Sequence, residues 1–146
     1  MQKVFHFDTA IEPYVSDAAV VQCFDHRFGL ATQKFIKRMG VTRPDVITIA
    51  GSIRALTSST EEYERAFVLD QLRTSIAIHQ TRRVLLFSHS DCGRYGGLAA
   101  FGHDRQAEKA FHQSELEQAA KVIRHEFPDL EVSCYHAAED GVWEVK

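Results

Sequence analysis

The sequence predicts an α/β fold: a mostly parallel central β-sheet flanked by helices, with a C-terminal antiparallel edge strand. Three observations predict it. Short apolar or β-branched runs alternate with longer helical stretches, the pattern of successive βαβ units. Several of the runs are continuously apolar, as strands covered on both faces are. Near the C-terminus Asp140-Gly141 separates two short strand-like runs and reads as a hairpin turn.

Each element has its own signal. Ala18-Ala19-Val20-Val21-Gln22-Cys23 is a buried-strand run. Ala31 to Met39 reads as a helix stopped by Gly40. Asp45 to Ala50 is rich in β-branched residues, ends at Gly51, and reads as a second strand. Ser59 or Thr60 can cap a long helix out to about His79, with Glu61, Glu62 and Glu64 near its positive end. Val84 to His89 is the clearest strand. Gln106 to Phe127 is a second long helix, ended by Pro128. Leu130 to Tyr135 and Val142 to Val145 form the closing hairpin.

Composition bounds the function. At 146 residues, 45% of them hydrophobic, the chain is expected to form one domain over residues 1–146. Seventeen basic against 20 acidic residues give a net charge of −3, which excludes a strongly basic nucleic-acid footprint and an acidic disordered tail. No apolar run is long enough to span a bilayer, and the first residues lack a secretory signal's pattern. Three cysteines then point to a reducing cytoplasm, as free thiols, catalytic groups or metal ligands.

In open parallel sheets ligands bind beyond the carboxyl ends of the strands. Two of those ends carry metal-capable residues: Cys23-Phe24-Asp25-His26-Arg27 and His89-Ser90-Asp91-Cys92-Gly93. Adjacent strands would bring Cys23, His89 and Cys92 together as two thiolates and one imidazole. That set suits zinc and leaves a fourth position for water or one more side chain. Asp25 is close enough in sequence to take that position, and Arg27 can hold it away through a bidentate ion pair. Water on zinc would then ionise near neutral pH, with Asp25 accepting its hydrogen bond.

These residues resemble the β class of carbonic anhydrases, whose signature is Cys-x-Asp-x-Arg followed later by His-x-x-Cys. The resemblance runs from about Asp17 to the C-terminus and includes the alanine–glycine turn at Ala50-Gly51. It implies one zinc per chain on Cys23, His89 and Cys92, a catalytic dyad of Asp25 and Arg27, and reversible hydration of carbon dioxide to bicarbonate through zinc-bound hydroxide. It also implies a homodimer or larger homo-oligomer. The alternatives are a zinc hydrolase of the same fold acting on carbonyl sulfide or carbon disulfide, a non-catalytic zinc module closed by Asp25, and a redox pair of Cys23 and Cys92. The chain differs from the family's usual pattern at three places. Thr48-Ile49 stands where the family has Arg-Asn, His26 replaces a serine and is a candidate proton shuttle, and Arg94-Tyr95 lies beside the metal loop.

The other residues are assigned bland roles. Cys134 reads as a buried hydrophobe. His6, His79, His112, His125 and His136 read as surface or helix histidines, and His103 as a solvated loop residue. Phe5, Phe7, Phe24 and Phe28 are candidates to line a dimer seam or an apolar cleft.

Overall fold

The computed structural model describes all residues from Met1 to Lys146. Five strands make one sheet: β1 (Ala18–Cys23), β2 (Pro44–Ile49), β3 (Arg83–His89), β4 (Glu131–Ala138) and β5 (Gly141–Val145). Their order is β2-β1-β3-β4-β5. The first four run parallel, and β5 joins β4 antiparallel. The helices are α1 (His26–Arg38), α2 (Arg54–Thr57), α3 (Glu62–His79) and α4 (Arg105–Glu126). The expected architecture is therefore the observed one.

Burial follows from the pleat, which sends successive side chains to opposite faces. Ala19 and Val21 of β1, with Val84 and Leu86 of β3, enter a 16-residue cluster shared with Leu56, Val68, Leu72, Leu116 and Ile123 from α2, α3 and α4. Ala18, Val20, Leu85 and Phe87 enter a smaller, 7-residue cluster against Ile36 of α1. One face thus carries three helices and the other carries one.

That asymmetry positions the site. From β1 the chain leaves over the α1 face to β2, while from β3 it leaves over the other face through α4 to β4. The loops after β1 and β3 part between neighbouring strands, and a crevice opens at their carboxyl ends. Cys23 and His89 are the last residues of those two strands.

Several boundaries move. Helix α1 begins at His26, not Ala31, because Asp25 caps it through its carboxylate on the Arg27 N–H. The expected cap of α3 inverts: Glu61 is the N-cap and makes no side-chain bond, while Glu64 accepts the Thr60 N–H. Helix α4 starts at Arg105, capped by Asp104. The short α2 has no counterpart in the sequence reading. Before β1 the chain has no regular secondary structure, but Tyr14 is tied down where its hydroxyl donates to Asp45, which His79 also contacts.

Candidate metal centre

Cys23, His89 and Cys92 meet at the crevice, their donor atoms all within 4.8 Å of one another. Each is held by a different device. The Cys23 Sγ accepts the Gly51 N–H at 3.3 Å. The His89 Nδ1 lies 2.9 Å from the Ser90 carbonyl, which makes Nδ1 the protonated nitrogen. Its Nε2 is left buried with no hydrogen-bond partner. A buried ring nitrogen with a free lone pair is costly unless something occupies it. Two sulfurs and this nitrogen therefore fit a soft or borderline cation such as zinc, by donor chemistry and by the vacant lone pair.

The thiols are electrostatically unequal. Cys23 is drawn down to about 4, first by the hydrogen bond from the Cys92 thiol and then, against the effect of burial, by His89 and the Gly51 N–H. Cys92 is pushed up because it faces the Cys23 thiolate and is buried. Left to themselves the two sulfurs favour a single negative charge, and a cation between them would remove that conflict.

Asp25 faces the same crevice but is engaged elsewhere. Its Oδ1 accepts the Arg27 backbone N–H and Nε, each at 3.0 Å, and its Oδ2 accepts Arg27 Nη2 at 2.7 Å. These bonds hold its carboxyl down at about 2. Arg27 is fixed in turn by Asp91, through Nη1 to Oδ2 at 2.8 Å and Nη2 to the carbonyl at 3.0 Å. A cavity of about 310 Å³ opens beside the cluster, lined by Cys23, Phe24, Asp25, Ala50, Gly51, Cys92, Gly93 and Arg94.

Asp91 belongs to the quoted motif, yet sequence reading gave it no role. Its backbone is left-handed, with φ +54°. Its Oδ1 accepts the Leu98 N–H at 2.9 Å, and its own N–H donates to the buried Glu108 at 2.6 Å. Tyr95 donates to the buried Glu115, which also accepts from Thr57 and Ser58. Two carboxylates of α4 thus clamp the loop that carries Cys92. A clue was present in the sequence: Glu108, His112 and Glu115 recur at helical spacing among apolar residues.

Burial sets two histidines apart. His112 is a helix residue as read, on α4, yet it is 0% exposed, and His136, on β4 and 2% exposed, is neither a surface nor a helix residue. They stack at 5.2 Å behind the metal loop, and His136 reaches Ser88 and Ser90. Burial draws His112 down to about 3 and His136 to about 4, so both are neutral. His6, His103 and His125 are exposed, and Cys134 is buried, as expected. His26 is exposed on the first turn of α1 and does not line the cavity. Phe28 packs on the His89 ring at 4.8 Å, whereas Phe24 is exposed.

Comparison with known proteins places this geometry. An uncharacterized protein of Rickettsia bellii (strain RML369-C) is 26% identical over 128 residues, covering 86% of this chain and 78% of its own. The fold is similar to that of β-carbonic anhydrase isoform I of Trichomonas vaginalis, at TM-score 0.63 and 13% identity, over 96% of this chain and 87% of that one. It is also similar to the apo form of a carbon disulfide hydrolase, at TM-score 0.58 and 13% identity, over 92% and 80%. The model of a family described as "Putative carbonic anhydrase" matches residues 15–146, so the chain belongs to that family.

Proposed function

We propose that this chain is a one-domain zinc enzyme that reversibly hydrates carbon dioxide to bicarbonate. The observation that carries the reading is the convergence of Cys23, His89 and Cys92 around an unpartnered His89 Nε2, with Asp25 held beside them by Arg27. Cys23, His89 and Cys92 would hold one zinc per chain. Bound zinc supplies a Lewis acid that lowers the pKa of water to about 7.

The chain's own residues do the rest. Asp25 stays ionised at every working pH, so it accepts hydrogen bonds and donates none. Any group it orients in the cavity must therefore present a proton to it. Arg27 pairs with both carboxylate oxygens, which opposes Asp25 as a fourth ligand while leaving each oxygen a lone pair for a further hydrogen bond. This favours the catalytic reading over a module closed by Asp25. Ser90 fixes the His89 tautomer. Asp91 ties the dyad to the metal loop.

A second reading rests on the apolar surroundings. Ile49, Ala55 and Phe67 give an apolar floor to a pocket against the metal cavity that Arg54, Glu64 and Arg94 also line, and that floor suits a linear sulfur analogue such as carbonyl sulfide or carbon disulfide. The test is metal analysis of protein purified without chelator, followed by carbon dioxide hydration and sulfide release assays across neutral to alkaline pH. One zinc per chain and hydration that rises with pH support the first reading. Sulfide release far above hydration selects the second. Metal-free protein with a reversible Cys23–Cys92 disulfide would overturn both. We further take the chain to act in the cytoplasm and as a homodimer or larger homo-oligomer; no helix is long and apolar enough to cross a membrane.

A further inference from the structure

A second pocket, of about 280 Å³, adjoins the metal cavity and shares Ala50 and Arg94 with it. Its floor is apolar: Ile49, Ala55 and Phe67. Its polar side holds Arg54, Arg94 and Glu64. Gly51 is the reason the two arginines lie together. A Cβ there would stand 2.7 Å from the Arg94 stem and 3.3 Å from that of Arg54, so the absent side chain lets both pass.

The charges in this pocket do not balance. Two guanidiniums face one carboxylate, leaving a net charge of +1. Glu64 is already committed, through Oε1 to Arg94 at 2.9 Å and Oε2 to the Thr60 N–H at 2.9 Å. Arg54 reaches Glu64 only loosely, at 3.9 Å, and otherwise bonds the Thr60 hydroxyl at 3.2 Å. Its side chain is only 20% exposed. Most of its donors thus lack a protein acceptor in a half-buried place, where an unmatched charge is expensive and an anion is welcome. The apolar floor adds a preference that an inorganic anion cannot exploit.

We propose that this pocket binds a small aliphatic monocarboxylate, with its carboxylate on Arg54 and Arg94 and its alkyl tail on Ile49, Ala55 and Phe67. Arg94 also lines the metal cavity, so an occupant there narrows the approach to Cys23 and Cys92.

The test is titration of the full-length protein, both metal-free and zinc-loaded, with butyrate, n-butanol and butylammonium, read by calorimetry and by amide chemical shifts. Butyrate should bind both forms, shifting the Gly51 and Arg54 amides. Butylammonium should not bind, and butanol should bind far more weakly. Arg54→Gln should weaken butyrate roughly tenfold or more, the loss of one charge-assisted hydrogen bond. Glu64→Gln should tighten it, because the competing carboxylate is gone. Phe67→Ser, at a half-exposed position, should weaken butyrate but leave formate unchanged. Wild-type affinity in Arg54→Gln, equal binding of butylammonium, or no butyrate binding because a second copy covers the pocket would each overturn the proposal. Binding to the metal-free chain is independent of the zinc-enzyme reading, so the two can fail separately.

Discussion

Asp25 carries two duties at once: helix cap and crevice carboxylate. Its carboxyl is held at about 2 against an ordinary 3.8, so its contribution to folding is complete above the ordinary value and is lost as pH falls toward 2. Replacing it by alanine should leave zinc content unchanged and abolish most carbon dioxide hydration. The wild type's thermal advantage over Asp25→Ala should be flat from neutral pH to about 4 and vanish below that, as thermal melts across the acid range will show. Gly51 is the other residue with a narrow tolerance. It sits at φ +76°, donates its N–H to Cys23 and leaves room for two arginine stems. Gly51→Ala should cost about 1–2 kcal/mol from the left-handed backbone alone and more from the clash. It should also weaken zinc retention in a chelator competition, because the turn that holds the Cys23 sulfur shifts. Cys23, Asp25, Arg27, His89 and Cys92 stood out in the sequence because they lie at or just beyond the ends of two strands whose apolar runs are unmistakable. The roles of Asp91 and Ser90 did not, because one depends on a left-handed backbone that aims its carboxylate and the other on a carbonyl group, and Gly51 was read only as a turn, without its bond to Cys23.

Among the elements, α4 does more than cover the sheet. Leu116, Ala119, Ala120 and Ile123 bury one stripe in the larger core, while Glu108 and Glu115 point toward the Cys92 loop from the same helix. A carboxylate at 1% exposure is tolerable because it accepts a backbone N–H at 2.6 Å. Glu108→Gln keeps the shape and removes the charge, so it should destabilise by about 1–3 kcal/mol. If the clamp positions Cys92, the cobalt-substituted variant should also show an altered ligand-field spectrum; an unchanged spectrum would reduce Glu108 to a packing residue. Pro128 marked the end of α4, while its start was read at Gln106, one residue inside the helix, because the Asp104 cap was not recognised. The α1 start was not readable, because Asp25 already had an apparent role at the metal and its capping function was hidden behind it. The buried pair His112 and His136 was missed for a related reason. His112 on α4 and His136 on β4 read as solvent-facing unless the fold places another layer over them, and the metal loop is that layer.

For the whole molecule, the strand order decides where chemistry is possible. Exit to opposite faces after β1 and β3 opens one crevice, and all three metal-capable residues fall at it. Alternating strand and helix signals predicted the layers. They did not predict that β1 would lie between β2 and β3, which the crossovers settle by packing. The chain ahead of β1 adds an unsatisfied surface: Phe5 and Phe7 stack on each other at 6.4 Å yet are 77% and 74% exposed, with Val4 and Ile11 also bare. Exposed apolar groups in such number suit burial against a second copy. If this arm pairs two copies, Phe5→Ser with Phe7→Ser should leave a monomer in analytical ultracentrifugation with the far-ultraviolet circular dichroism unchanged. An unaltered sedimentation coefficient would remove the arm from the interface.

The meeting of Cys23 with His89 and Cys92 also sets a timetable. Cys23 lies early in the chain, and its two companions arrive only after β2, α3 and β3 have been made. A chain emerging from the ribosome presents a single thiol until the third strand is complete, and it has no crevice until that strand docks beside the first. Closing so long a loop is slow but adds only modestly to the entropic cost. Capture of a cation would therefore be a late step. Once made, it would staple the two halves of the sheet across their longest connection, so its effect should fall mainly on the rate of unfolding and leave the rate of folding almost unchanged.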